Sequence, residues 1–207
     1  MMQRKLDIPF KGSRTYLHST NSWDAVASLL SADELELGAE LGAPDTVLDI
    51  TFRSLILEGV DLLVSGTRLK TPEAKAQMLI KSAGGARGFG ELVSNGMPVT
   101  ERVDDAEGPL RAGAVIDADG ATFTGPLPVS LSQVYVALIK FWHQTNVDND
   151  CKWLATRLQL PLACLTAEPA TVRVVPETIL KDGAGSVTRV SGDDDDTLSG
   201  RIWFFKA

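Results

Sequence analysis

Few side chains in this sequence have the chemistry of a catalyst. Of 207 residues, two are histidine and two are cysteine. His18 lies in Tyr16-Leu17-His18-Ser19-Thr20, just ahead of a helix start, and carries the one kind of side chain that titrates near neutrality. Ser19 beside it invites a nucleophile reading. Adjacent residues rarely reach the hydrogen-bond geometry that activates a serine, and no Gly-x-Ser-x-Gly elbow occurs. His143, at the far end of a second helix, suits a partner for the helix dipole. Cys151 and Cys164 are read as idle thiols rather than a disulfide framework. Histidines and cysteines show no metal-binding spacing, so no metal and no cofactor are expected. The glycine-rich run from Gly84 to Gly90 matches neither phosphate-loop spacing and reads as a hairpin turn. Asp193-Asp194-Asp195-Asp196 repel one another and read as a solvated loop rather than a cation site.

Composition narrows the classes further. With 44% hydrophobic residues the chain can bury a full core as one large domain or two small ones. The 27 acidic against 20 basic residues give a net charge of −7, which argues against a partner held by its phosphate backbone. No stretch approaches the ~20 apolar residues of a membrane span, and the N-terminus reaches Asp7 without an apolar signal core. A soluble, cytoplasmic protein is expected.

The elements that would position these residues follow a faint internal repeat. Pro44-Asp45-Thr46-Val47 is echoed by Pro169-Ala170-Thr171-Val172 at an offset of 125, and Ser65-Gly66 by Ser191-Gly192 at an offset of 126. Asn21-Ser22-Trp23-Asp24 and Ser130-Leu131-Ser132-Gln133, at an offset of 109, each open a helix with a polar cap followed three residues later by Asp or Gln. The expected halves are 1–103 and 104–207, forming one compact double unit.

Along the first half, Leu6, Ile8 and Phe10 alternate as an opening strand. A helix over 21–31 carries Trp23, Val26, Ala27 and Leu30 on one face. Residues 47–52 and 60–64 read as a hairpin turning at Glu58-Gly59, followed by strands over 71–82 and 88–93. Residues 101–113 read as an acidic linker. In the second half, strands at 114–116 and 121–124 precede a helix over 132–144 that is apolar on several faces and therefore buried. An amphipathic helix from about Asp150 to Leu160 is expected as an insertion, then a final hairpin over 185–191 and 197–206.

An opening strand, one long buried helix and consecutive antiparallel strands, twice over, resembles the hot-dog fold and its double hot-dog members. The fold class this implies is α+β: a duplicated hot-dog-like unit with antiparallel sheet wrapped around buried central helices. The resemblance also implies acyl-thioester chemistry, with coenzyme A or acyl carrier protein as the carrier and a helix N-terminus aimed at the thioester carbonyl. Substrate contacts would then come from Asn21, Ser22 and Trp23 or from Ser130, and Arg87 would meet the carrier's phosphates.

Dehydratases of that family add a histidine before one helix and a carboxylate from the partner helix. His18 fits the first place, as acid or base, or stands there as a structurally hydrogen-bonded loop residue. Residues 130–144 hold no Asp or Glu, only Gln133 and Gln144, so Gln133 takes the orienting role. Asp24 would face a loop without histidine, and Gly125-Pro126-Leu127-Pro128 only loosely suggests the family's Pro-x-x-Pro-Gly. The implied function is an acyl-thioester binder, a thioesterase or a dehydratase-like enzyme, acting as monomer or homo-oligomer. The alternative is a non-catalytic scaffold or acyl-group sensor.

Overall fold

The computed structural model describes residues 1–105, 107–193 and 195–207. Two compact units divide at residue 105, and each has its own set of antiparallel strands and its own long helix.

The first unit contains β1 (Met2–Leu6), β2 (Phe10–Lys11), α1 (Ser19–Ser31), β3 (Val47–Phe52), β4 (Val60–Ser65), β5 (Ala74–Lys81), β6 (Arg87–Ser94) and β7 (Arg102–Val103). Its main sheet is antiparallel in the order β1-β4-β6-β5-β3. Leu48 and Ile50 of β3, Val60, Leu62 and Val64 of β4, Ala76, Met78 and Ile80 of β5 and Leu92 of β6 are all buried. Their two-residue spacing gives the sheet one apolar face. Onto the core go Trp23, Val26, Ala27 and Leu30, the helical stripe legible in the sequence. The Trp23 indole N–H donates to the Leu48 carbonyl at 3.2 Å, so this large ring is buried with its polar atom satisfied.

The expected hairpin between β3 and β4 is not formed. β3 pairs with β5, while β4 lies between β1 and β6. Glu58-Gly59 is no two-residue turn, because Gly59 exchanges backbone hydrogen bonds with Asn95 and Met97 beyond the end of β6. Ile56 is buried and its carbonyl accepts the Leu17 N–H at 2.8 Å, which fixes residues 53–59 as a crossover.

The acidic segment expected to be a linker is also ordered. β7 runs parallel to β2, and the Arg102 guanidinium donates to the carbonyls of Gly12 and Arg14, both at 2.9 Å. Asp105 pairs with Arg14 at 2.7 Å and with the buried Lys11 at 4.0 Å.

The second unit contains α2 (Glu107–Gly113), β8 (Ala114–Ile116), β9 (Ala121–Thr124), α3 (Leu131–Asn146), β10 (Trp153–Pro161), β11 (Thr171–Ile179), β12 (Gly185–Gly192) and β13 (Asp195–Lys206). Within it the strand order is β8-β9-β11-β12-β13-β10. α3 is buried on several faces: Val134, Tyr135, Ala137, Leu138, Ile139, Phe141 and Trp142 are all covered. Three aromatic donors in this core find carbonyls, Tyr135 at Leu198 (2.9 Å), Trp142 at Asp117 (3.1 Å) and Trp153 at Asp148 (3.1 Å). Residues 107–113 of the supposed linker form α2, held to α3 by the Glu107–Lys140 ion pair and by Arg111, which lies 4.9 Å from the Phe141 ring and donates to Gln144.

Residues 150–160 are not the amphipathic helix expected. They form most of β10, paired with β13, and the register shifts between Ala155 and Arg157. A bulge inserts one residue into the two-residue period. Trp153 and Leu158 are therefore both buried although five positions apart, an odd spacing that breaks the strand's alternation.

In both units two strands precede the long helix and four strands of the large sheet follow it, but the pairing differs at the end. β4 is flanked by the last strand, β6, whereas β11 is flanked by the penultimate one, β12. The echoing segments fall on β3 and β4 in one unit and on β11 and β12 in the other. Only the second pair is hydrogen-bonded together, so the echo marks shared strand-and-turn chemistry and not equivalent strands. The closing hairpin turns at Asp193, as the aspartate run suggested, while Asp194 lies outside the described residues.

Candidate functional site

α1 begins at Ser19, two residues before the expected cap. His18 itself is the N-cap, in extended backbone (φ −79°, ψ 140°), and no side chain caps the helix. The first turn therefore leaves the backbone N–H groups of Ser19, Thr20 and Asn21 without an intrahelical acceptor. Asn21 is inside the helix rather than at its cap. Ser22 is buried, and both its N–H (3.1 Å) and its hydroxyl (3.2 Å) donate to the His18 carbonyl. Its backbone is not available to a ligand, contrary to the expectation placed on it. Trp23 is fully buried, with its indole spent on Leu48, and belongs to the core.

The His18 ring is half-buried, and its Nδ1 lies 2.8 Å from the Thr20 hydroxyl. Thr20 has no exposed surface, so it fixes the ring from below. Sequence reasoning passed over Thr20, although a hydroxyl two residues into a helix behind a histidine is the signal that would have found it. Asn21 adds a second feature. Its amide nitrogen reaches the Pro9 carbonyl at 3.5 Å, while its Oδ1 is buried and, among the described residues, has no hydrogen-bond partner. A histidine, a hydroxyl and an unsatisfied amide oxygen thus share the first turn of a buried helix. Electrostatically that turn favours negative charge.

Arg87 is not part of this group. It is exposed at the start of β6, after the Ser82–Ala86 turn whose Ser82 hydroxyl donates to Glu40 (2.6 Å), and no contact joins it to the first turn of α1 among the described residues.

In the second unit, Ser130 is the N-cap of α3 as expected, yet its side chain makes no cap hydrogen bond and lies 3.3 Å from the Ser132 hydroxyl. The Ser130 carbonyl accepts the first helical bonds, from Gln133 and Val134 at 3.0 and 3.1 Å. Gln133 is half-buried on the first turn of α3. His143 is not a charged partner of the helix dipole. It is buried, its Nδ1 takes the Ile139 carbonyl at 2.8 Å, and its ring lies 4.1 Å from that of Trp153 and 5.6 Å from that of Phe204. Burial pushes its pKa below the usual histidine range, so it is neutral at pH 7.

Solved structures share the fold. A monomeric dehydratase domain from a trans-AT polyketide synthase split module matches 100% of this chain and 98% of its own, with a TM-score of 0.50 at 6% identity. A trans-AT polyketide synthase dehydratase domain from Brevibacillus brevis matches 99% of this chain and 92% of its own, with a TM-score of 0.51 at 8% identity. The chain has the hot-dog fold. An acyl-ACP thioesterase from Bacteroides thetaiotaomicron gives a TM-score of 0.49 at 9% identity over 100% of this chain and 97% of that one. No family model and no curated protein matches the sequence. Among the described residues, no helix of this hot-dog protein is long and apolar enough to cross a membrane.

Proposed function

We propose that this hot-dog protein binds acyl thioesters at the first turn of α1 and hydrolyses them slowly, with His18 as the acid–base group. The observation that carries this reading is the composition of that turn: His18 held by Thr20, N–H groups without intrahelical partners, and a buried Asn21 oxygen lacking a donor. Two dehydratase domains of the same fold support the substrate class.

In the proposed reaction a thioester carbonyl lies against the first-turn N–H groups, which stabilise the charge that grows on its oxygen. His18 Nε2 takes a proton from water as that water attacks the carbonyl carbon. The same proton goes to the departing thiolate as the carbon–sulfur bond breaks. With Thr20 accepting from Nδ1–H, Nε2 is the basic nitrogen that this step needs. Asn21 Oδ1 accepts a hydrogen bond from the bound acyl carrier or the water. An amide such as that of Asn21 positions a water but cannot take its proton, so one histidine does all the proton transfer and hydrolysis is favoured over dehydration. We also assign the two halves, 1–103 and 104–207, to a duplication of one ancestral unit. Coenzyme A and acyl carrier protein are both admitted as carriers.

The test is turnover of medium- and long-chain acyl-coenzyme A by wild type and His18→Ala. A loss of about 10²-fold or more in kcat is expected, in line with removal of a general acid–base group. Unchanged turnover removes His18 from the mechanism. The second reading, a non-catalytic scaffold or acyl-group sensor, is favoured by the absence of Asp and Glu from α3. Binding of an acyl thioester without turnover would select the sensor, and absence of both would select the scaffold.

A further inference from the structure

A second constellation, independent of the thioester reading, sits on the outer face of the second unit's sheet. Thr122 of β9, Arg173 of β11 and Ser191 of β12 are direct cross-strand neighbours, and together with Thr171 and Asp193 they line a recess of about 360 Å³. Outward side chains one strand apart lie about 5 Å from one another. The row therefore roots an arginine between two hydroxyl-bearing residues.

The two charges in this recess are held differently. Asp193 has its backbone in the left-handed region (φ 49°), donates its own N–H to the Thr171 carbonyl, and accepts the N–H groups of Ala170 (3.0 Å) and Thr171 (2.7 Å) on its two carboxylate oxygens. That places its charge in one fixed position. The Arg173 side chain is exposed and, among the described residues, has no hydrogen bond or ion pair, whereas Arg189 and Arg201 on the same sheet both meet Glu177. The two opposite charges line one recess without pairing with each other. Each keeps capacity for a ligand group: Arg173 all its N–H donors, Asp193 a second lone pair on each oxygen.

We propose that this recess binds a small zwitterion of the free α-amino acid class, its carboxylate toward Arg173 and its ammonium toward Asp193, with Thr122, Thr171 and Ser191 supplying hydroxyls. A simple anion gains Arg173 but meets the negative charge of Asp193. A simple cation meets the reverse. Only a molecule carrying both signs uses both fixed groups at once.

The experiment is titration of the full chain, followed by amide NMR shifts, with glycine and L-serine as probes and acetate and ethylammonium as single-charge controls. Saturable shifts in the Thr171 and Ser191 amides are expected for the two zwitterions, with acetate and ethylammonium about tenfold weaker or more, the effect of losing one charge-assisted contact. Arg173→Gln should abolish saturation while leaving the thermal midpoint within the range of surface changes. Asp193→Asn, which loses charge but keeps an acceptor for one N–H, should weaken glycine and strengthen acetate relative to it. Acetate binding as well as glycine overturns the proposal, as does unchanged glycine binding in Arg173→Gln or an absence of saturable shifts with either zwitterion. The assay uses no thioester, so its failure is separate from that of the reading of α1.

Discussion

His143 shows what burial does to a titratable side chain. Its ring is packed among Trp142, Trp153 and Phe204, its Nδ1 is engaged by Ile139, and its Nε2 is buried and, among the described residues, without a partner. Desolvation lowers its pKa in the folded protein more than the Ile139 carbonyl raises it. The unfolded chain therefore binds this proton more readily, and stability falls as pH drops below the ordinary histidine value of about 6.5. Denaturation midpoints should decline from pH 7.5 to pH 5, and His143→Leu should flatten that decline; an equal slope in both proteins would show that His143 is not its source. Asp148 acts at lower pH. Hydrogen bonds from Cys151, Lys206 and the Asp150 N–H hold its pKa at about 2, so its contribution is lost as pH falls below about 3.8. His18, by contrast, gives up few packing contacts, and His18→Ala should leave stability within about 1 kcal/mol while reducing turnover. The chemistry of His18 was legible because histidine before a helix is visible in one dimension. Its anchoring by Thr20 was not, because only the helix start at Ser19 puts the two side chains together.

At the scale of elements, α3 and the β10–β13 ladder can be tested separately. Leu138 has no exposed surface in a helix covered on several faces, and Leu138→Ala should cost about 2–5 kcal/mol by chemical denaturation. Gly200 of β13 is there because of close approach: a Cβ at this position would lie 2.4 Å from the Gln159 carbonyl oxygen and 2.7 Å from Leu160 Cδ2. Gly200→Ala must push the two strands apart, at a cost of about 1–3 kcal/mol. A midpoint unchanged from wild type would mean that β10 is placed wrongly. The same strand explains why residues 150–160 did not read as a strand, since a bulge breaks the two-residue alternation that would have marked one. α1 and α3 were readable because their apolar positions recur at helical spacing over two turns or more, longer than a single bulge or turn.

For the whole molecule, acidic balance and core content set solution behaviour more than fold. With a net charge of −7 near neutrality and a pI of about 4.9, the protein should be least soluble near pH 4.9, where self-repulsion vanishes. Turbidity measured from pH 7.5 to 4 should peak there; a flat profile would show that exposed apolar groups such as Leu55, Leu57 and Met97 do not drive association. Acid also protonates His143, so loss of solubility and loss of stability should overlap, and a refolding check at pH 7.5 separates them.

From the sequence alone came the α+β class, the two buried helices, most strand positions and the histidine ahead of α1, because each is written in local periodicity or in a single residue type. Tertiary structure decided which strands are neighbours. The Glu58-Gly59 step reads as a turn, yet Gly59 is claimed by Asn95 and Met97, and β3 finds its partner in β5. Strand pairing is a competition among distant segments for the same backbone groups, and its outcome is settled only when the whole sheet assembles. The recess at Arg173 has the same origin: Thr122, Arg173 and Ser191 are separated along the chain and become a row only through the pairing of β9, β11 and β12.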